Sequence, residues 1–243
     1  SMRIVKLNAI PSTNDYLKLL SQTEALKNFC CCVTENQTQG RGQMGAQWLS
    51  EQGKNLTFSV YIEKVVEDIS QIYLLNVAVA ISIFKVLNTY KIPKLSIKWP
   101  NDIMADTKKI GGILIENSIR GDGSIVSIVG IGINVNQMNF EEMPSASSMA
   151  ATMSTFFDKE ILLENLLEVL KTSVVEMNRN SEALWSIYKA QLFKKDVPAV
   201  FEDLAGNKVM GIIRDVSSQG LLIIEHEDDH LKYYNIKEIK MLY

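Results

Sequence analysis

Four short runs in this sequence bring glycine together with lysine, arginine and amide side chains in ways that could hold an anionic ligand. The first is Gly40-Arg41-Gly42-Gln43-Met44-Gly45-Ala46-Gln47-Trp48. Gly40, Gly42 and Gly45 meet the spacing of the dinucleotide fingerprint, but that motif needs a helix straight after the loop to aim its N-terminus at a pyrophosphate. Gly53, Asn55 and a strand-like run follow instead, so that reading fails. A protein-kinase loop fails too, since no His-Arg-Asp or Asp-Phe-Gly follows. What remains is a flexible loop with one cation, Arg41, and one aromatic ring, Trp48. Such a loop can fold over an anion and offer it backbone N–H groups; a plain solvent loop accounts for it equally well.

The second run is Lys98-Trp99-Pro100-Asn101-Asp102. On a strand, Trp99 and Lys98 face opposite ways, and Pro100 ends the strand with Asn101 and Asp102 at its tip, where sites are commonly built. Ordinary turn chemistry would use the same residues. The third run is Lys108-Lys109-Ile110-Gly111-Gly112-Ile113-Leu114-Ile115-Glu116. Alternation places Lys109, Gly111 and Ile113 on one face. Paired glycines weaken a strand unless something must approach its backbone, and Lys109 could meet a phosphate or carboxylate there. The bland alternative is a strand-end lysine that snorkels to solvent. The fourth run, Gly130-Ile131-Gly132-Ile133-Asn134-Val135-Asn136, puts Gly130, Gly132, Asn134 and Asn136 on one face. That bare floor suits a flat ligand, though a bulge or a close sheet crossing would also explain it. His226 and His230, four apart among carboxylates, could bind metal on a helix, but their β-rich surroundings point to a solvated hairpin turn, and no metal site is expected.

The elements that must position these runs are mixed. Val5–Ala9 reads as a strand, and Ser12 or Thr13 caps a helix through Tyr16, Leu17 and Leu20. Phe29–Thr34 is a strand on which Cys30 and Cys32 face one way and Cys31 the other. Leu56–Ile62 alternates as a half-buried strand. The apolar run from about Ser70 to Tyr90 contains Asn76, Ser82, Lys85 and Asn88, so it reads as a core helix rather than a membrane span. Strands follow at Leu95–Trp99, Ile110–Asn117 and Ile125–Val135, the last two joined by Arg120-Gly121-Asp122-Gly123 as a hairpin. Asp158 caps a helix carrying Leu162, Leu163, Leu166, Leu167, Leu170 and Val174, and Ser181 caps another. After Lys194-Lys195 come short strands, Val197–Phe201, Val209–Val216, Leu221–Glu225 and Tyr233–Ile236, in the pattern of a small β-barrel. The expected division is a catalytic unit over residues 1–193 and a β unit over 194–243.

With 243 residues, 47% of them hydrophobic and 22% charged, the chain has an ordinary globular composition and can bury a self-supporting core. A net charge of -3 argues against broad nucleic-acid binding. Three adjacent cysteines exclude a disulfide framework and favour a reducing cytoplasm. Ser1 before Met2 reads as an expression scar, and Arg3–Lys6 as the start of a strand rather than a signal peptide.

Taken together and in this order, the motifs resemble the biotin–protein ligase family: Ser12-Thr13-Asn14, the Gly40–Trp48 loop, Lys98–Asp102, Lys109–Leu114 and Gly130–Asn134. The resemblance covers nearly the whole chain. It implies an α+β fold, with helices on a mixed sheet and an SH3-like C-terminal β domain. It also implies ATP-dependent formation of biotinyl-adenylate, with Mg²⁺ carried on ATP, and then transfer of biotin to a lysine of a biotin carboxyl carrier protein. Ser12, Thr13, Asn14 and Gln37 would hold the ureido end of biotin or line its pocket. Arg41, Gly42 and Gln43 would close over carboxylate and phosphate, and Lys109 would bind the oxygens where charge develops. Arg41 and Lys109 would thus be the catalytic pair. Trp48, Asn101, Asp102 and Asn134 would serve the nucleotide side, and Gly111, Gly112, Gly130 and Gly132 would admit the ligand to the backbone. Many relatives carry more loop arginines where this chain has Gln43, Met44 and Ala46, which implies weaker retention of the adenylate. Repressor members carry an N-terminal winged helix for which this sequence leaves no room, so no DNA binding is expected. The implied protein is cytoplasmic, without a membrane partner, and a monomer or homodimer. A lipoate–protein ligase or octanoyl transferase of the same superfamily, or a non-catalytic biotin-binding module, are the competing readings.

Overall fold

A computed structural model describes residues 2–243; Ser1 lies outside them. In chain order the elements are β1 (Ile4–Ile10), α1 (Thr13–Thr23), β2 (Cys31–Gln37), β3 (Leu56–Glu63), α2 (Tyr73–Thr89), β4 (Leu95–Lys98), β5 (Asp102–Ala105), β6 (Lys108–Ile119) and β7 (Ile125–Ile133). Then come α3 (Met149–Met153), α4 (Lys159–Glu176), α5 (Ser181–Ala190), β8 (Pro198–Asp203), β9 (Lys208–Val216), β10 (Leu222–His226), β11 (Leu231–Tyr234) and β12 (Ile239–Leu242). The first seven strands form one mixed sheet in the order β1-β2-β3-β7-β6-β5-β4, in which only β1 and β2 run parallel. The last five form an antiparallel sheet, β11-β10-β9-β8-β12, which matches the expected SH3-like unit.

Helices cover both faces of the large sheet. The α2 helix packs on β4, β5 and β6 and under α4 and α5. It is apolar almost all round because it is enclosed almost all round. The stretch Ile69–Thr89 is long and apolar enough to cross a membrane by length and composition. Here Leu75, Val77, Val79 and Ile81 are fully buried in the core. Its polar side chains find partners inside the fold: Ser82 donates to Ala78 O at 2.7 Å and Asn76 to Pro100 O at 3.0 Å. On the opposite face, α1 packs against β2, β3 and β7. The three cysteines divide as alternation requires, with Cys31 in the main core and Cys30 and Cys32 in the smaller cluster under α1. Burial pushes the Cys32 thiol up to about 12 and Cys31 higher still.

The structure corrects several expectations. The β3 strand is buried on both faces rather than half-buried, because α1 covers Ser59 and Tyr61 while the main core takes Phe58, Val60 and Ile62. Phe29 sits in a left-handed turn (φ 70°), so β2 begins only at Cys31. Ser181 is the first helical residue of α5 and not its cap; Asn180 precedes it without a capping side-chain bond. Three short elements, β5, α3 and β12, had no periodicity long enough to reveal them.

Candidate active site

The first turn of α1 builds the polar end of the site. Ser12 caps the helix by accepting from Asp15 N at 3.2 Å, which turns Thr13 and Asn14 inward. Thr13 N donates to Gln37 Oε1 at 2.9 Å, and the Thr13 hydroxyl lies 2.6 Å from that of Ser59 on β3. Ser59 donates to Asn14 Oδ1, and Asn14 Nδ2 donates to Glu116 Oε1 at 2.9 Å. Gly130 makes room for this amide, since a Cβ there would lie 2.6 Å from Asn14 Oδ1.

The opposite end is cationic. Pairing between β5 and β6 slips at Ile110: Ile103 pairs with Gly111, but Met104 pairs with Lys109. This extra residue reverses the alternation expected along the run, as a bulge does. Lys109 therefore shares its face with Gly112, where a Cβ would stand 3.4 Å from its Cε. Gly111 faces the core instead, against Ile133 and Ile103. The Lys109 ammonium is 2.8 Å from Asp102 Oδ1 and 5.1 Å from the centre of the Trp48 ring. Lys98 opens onto the same cavity, and burial holds its pKa below the ordinary lysine value despite the nearby Asp102. It has no carboxylate within ion-pair distance among the described residues. Asn101 locks the β4–β5 turn, since its side-chain amide donates to Ile113 O and its backbone carbonyl accepts from Ile113 N at 3.1 Å. Pro100 O accepts from Asn76 at 3.0 Å and from Tyr73 and Tyr188 at 3.3 Å each, which ties that turn to α2 and α5.

The glycine loop closes as a small hairpin over these two ends. Arg41 bridges to Gln47, Gly42 N donates to Ala46 O at 2.6 Å, and a 3-10 turn at Gln43–Gly45 makes the tip. Arg41 forks onto Asp15 at 2.8 and 3.0 Å and reaches Glu116 at 2.8 Å. Its hydrogen bond and charge hold the Asp15 carboxyl below the usual carboxylate range. Burial pushes Glu116 up, but the Asn14 bond and the charges of Arg41 and Lys18 outweigh it, so the net shift is downward. Trp48 lies flat on Gly132, where a Cβ would come 2.7 Å from the ring. Its buried indole N–H has no hydrogen-bond partner.

Between the two ends lies a cavity of about 300 Å³. Ser12, Thr13, Asn14 and Gln37 line one side, and Arg41, Gly42, Gln43 and Trp48 form the roof. Asn101, Asp102 and Lys109 stand opposite, over Gly112, Gly130 and Gly132. Two predicted residues do not line it. Gly111 is turned away by the bulge, and Asn134, just past the end of β7, donates its amide to Ser147 O at 3.1 Å. Sequence reading missed Ile236 and Lys237, from the turn between β11 and β12, because nothing in a sequence shows which distant turn folds over a cavity. Asp15 and Glu116 were missed as partners of Arg41, although Asp15 sits next to the Ser-Thr-Asn run. His226 lies at the end of β10, its ring nitrogens 2.9 Å from Met210 O and 2.7 Å from the Tyr234 hydroxyl. Among the described residues no group of His, Cys, Asp and Glu is arranged to hold a metal ion.

A profile of the biotin/lipoate A/B protein ligase family matches residues 7–136, more than half of the chain. The chain belongs to that family. The matched segment runs from β1 to just beyond β7 and holds every cavity residue except the two from the β11–β12 turn. The protein is similar to the bifunctional ligase/repressor BirA of Salmonella typhimurium, with 28% identity over 232 residues, 93% of this chain and 71% of that one. It is similar also to the biotin–[acetyl-CoA-carboxylase] ligase of Mycobacterium tuberculosis, 26% identical over 88% of this chain and 80% of that one. Among solved structures, a biotin protein ligase from Aquifex aeolicus in complex with biotin and ATP superposes with a TM-score of 0.80 at 25% identity, covering 99% of this chain and 98% of that one. The biotin/lipoate ligase core and the small C-terminal sheet therefore occur together in both proteins.

Proposed function

We propose that this member of the family is a biotin–protein ligase that forms biotinyl-5'-AMP from biotin and ATP and transfers biotin to a lysine of a biotin carboxyl carrier protein. The observation that carries this reading is the two-ended cavity, lined by the uncharged hydrogen-bonding side chains Thr13, Asn14 and Gln37 at one end and by the cations Lys98 and Lys109 at the other. A neutral cyclic urea joined to a carboxylate by an apolar chain is complementary to such a site. The names of the M. tuberculosis relative and the A. aeolicus structure support the same ligand.

In the first step a biotin carboxylate oxygen attacks the α-phosphorus of ATP, the bond to the β-phosphate oxygen breaks, and pyrophosphate leaves. Negative charge grows on the α-phosphate oxygens, and the Lys109 ammonium, preset by Asp102, stabilises it there. Lys98 supplies a second cation from the neighbouring strand. Arg41, Gly42 and Gln43 close the loop over the carboxylate and phosphate, and Asp15 and Glu116 hold the Arg41 guanidinium until then. Trp48 carries the adenine side. Mg²⁺ travels with the ATP phosphates. In the second step the carrier lysine amine attacks the biotinyl carbonyl and AMP leaves. Residues 1–193 form the catalytic unit and 194–243 the β unit, which adds Lys237 to the cavity wall. Biotin-dependent pyrophosphate release from ATP tests the first step, and lipoate is the comparator: a preference for lipoate would contradict the reading.

A further inference from the structure

Glu116 does not line the cavity, yet it stands at the end of a hydrogen-bond chain that does reach it. A carboxylate can only accept. Asn14 must therefore turn its NH₂ toward Glu116 Oε1, 2.9 Å away, with Leu114 O at 3.4 Å as a second acceptor. Its Oδ1 is then the end that faces Ser59, and Ser59 has to give its single hydroxyl hydrogen to that oxygen. In the 2.6 Å contact between the Ser59 and Thr13 hydroxyls, Thr13 is left as the donor; Gln37 Oε1, 3.3 Å from the same hydroxyl, is the longer of its two acceptors. With its one hydrogen committed, Thr13 has only lone pairs to offer a ligand. Beside it, Gln37 Oε1 already accepts from Thr13 N at 2.9 Å, so what Gln37 has left is its NH₂.

We propose that Glu116 is a positioning residue for substrate recognition. Through Asn14 and Ser59 it fixes the Thr13 hydroxyl as an acceptor next to the Gln37 donor, and so makes this end of the cavity select a ligand carrying an N–H beside a carbonyl. The proposal rests on the biotin reading above and explains how the site would refuse a ligand such as lipoate, whose dithiolane ring has no N–H. A pocket built to hydrogen-bond a particular group discriminates strongly against ligands that leave its polar atoms unpaired.

The direction of the chain can be broken and restored. Asn14→Asp sets two carboxylates face to face, and Glu116→Ala removes the acceptor that fixes the Asn14 amide. In the double variant Asn14→Asp/Glu116→Gln the new amide donates and the new carboxylate accepts from it and from Ser59, so Ser59 and Thr13 keep their directions. The measurement is kcat and apparent KM for biotin in pyrophosphate release, with circular dichroism to check folding. Glu116→Ala is expected to raise KM roughly tenfold; it also takes one of the two carboxylates from Arg41, a loss that both double variants below share, so the comparison between those two isolates the relay. Asn14→Asp should raise KM at least as much. Asn14→Asp/Glu116→Gln should recover most of that loss, and Asn14→Asp/Glu116→Ala, which relieves repulsion without supplying a donor, should not. Equal KM values for the two double variants, or an unchanged KM in Glu116→Ala, would overturn the relay and leave the biotin reading standing. A wild-type protein that releases no pyrophosphate with biotin would overturn both.

Discussion

The Lys109 ammonium sits 2.8 Å from Asp102 Oδ1, across the paired strands β5 and β6. The pair is aimed into the cavity, and the carboxylate orients the lysine there. Lys109→Ala should therefore harm adenylate formation far more than folding. Loss of one donor to developing charge typically costs ~10²–10³ in rate, whereas a partly exposed lysine contributes little packing. Pyrophosphate release by a folded variant at the wild-type rate would remove Lys109 from the mechanism.

The bulge at Ile110 turns Gly111 to the core, whereas Gly132 on the paired strand β7 meets Trp48, and the two glycines predict opposite phenotypes. Gly111→Ala would place a Cβ 2.9 Å from Ile133 Cδ1 and 3.2 Å from Gly132 O, inside the core. It should lower stability by about 1–3 kcal/mol, the usual range for overpacking, with KM values near wild type. Gly132→Ala would press on the Trp48 ring and should raise KM for ATP with little loss of stability. Thermal unfolding and steady-state kinetics on both variants check this. Destabilisation by Gly132→Ala with unchanged KM, together with a ligand defect in Gly111→Ala, would mean that the faces are assigned the wrong way round.

The same bulge shows what was legible in the sequence. The motif order, the caps of α1 and α4, the division of the cysteines and most of the second sheet could be read from residue types and spacing, because period and capping are local properties. The facing of Gly111 could not, since one inserted residue reverses a strand's alternation and no side chain announces it. Nor could the partners of Arg41, which come from α1 and β6, or the approach of Lys237 from the β11–β12 turn. These depend on tertiary packing between segments far apart in the chain.

The Arg41 cluster should make the loop acid-sensitive. Arg41 holds Asp15 below the usual carboxylate range, and Glu116 is lowered on balance, so both favour the closed arrangement while ionised. Their contribution is full above the ordinary carboxylate pKa of about 4 and is lost as pH falls through the lowered values. Cleavage of the loop between Gly40 and Trp48 by an acid-active protease should accelerate below about pH 4. In Arg41→Ala that acceleration should disappear, with the loop cut readily at every pH. The same variant should release biotinyl-adenylate faster, whereas Met44→Ala, at the exposed loop tip, should not.

At neutral pH, biotin plus ATP should slow proteolysis of the loop further. Ordering each residue costs roughly 1–2 kcal/mol, and the loop's short hairpin and ion pairs offset only part of that. Equal cleavage rates with and without ligands would mark the loop as a static element rather than a closing lid.

Transfer of biotin to a carboxylase carrier domain, followed by the intact mass of the carrier, tests the central claim most directly. The account predicts a gain of one biotinyl group only when the protein, biotin and Mg-ATP are all present, with the label on a single lysine and no gain from lipoate. A carrier that stays unmodified with biotin and ATP, or that takes lipoate in preference, would contradict it.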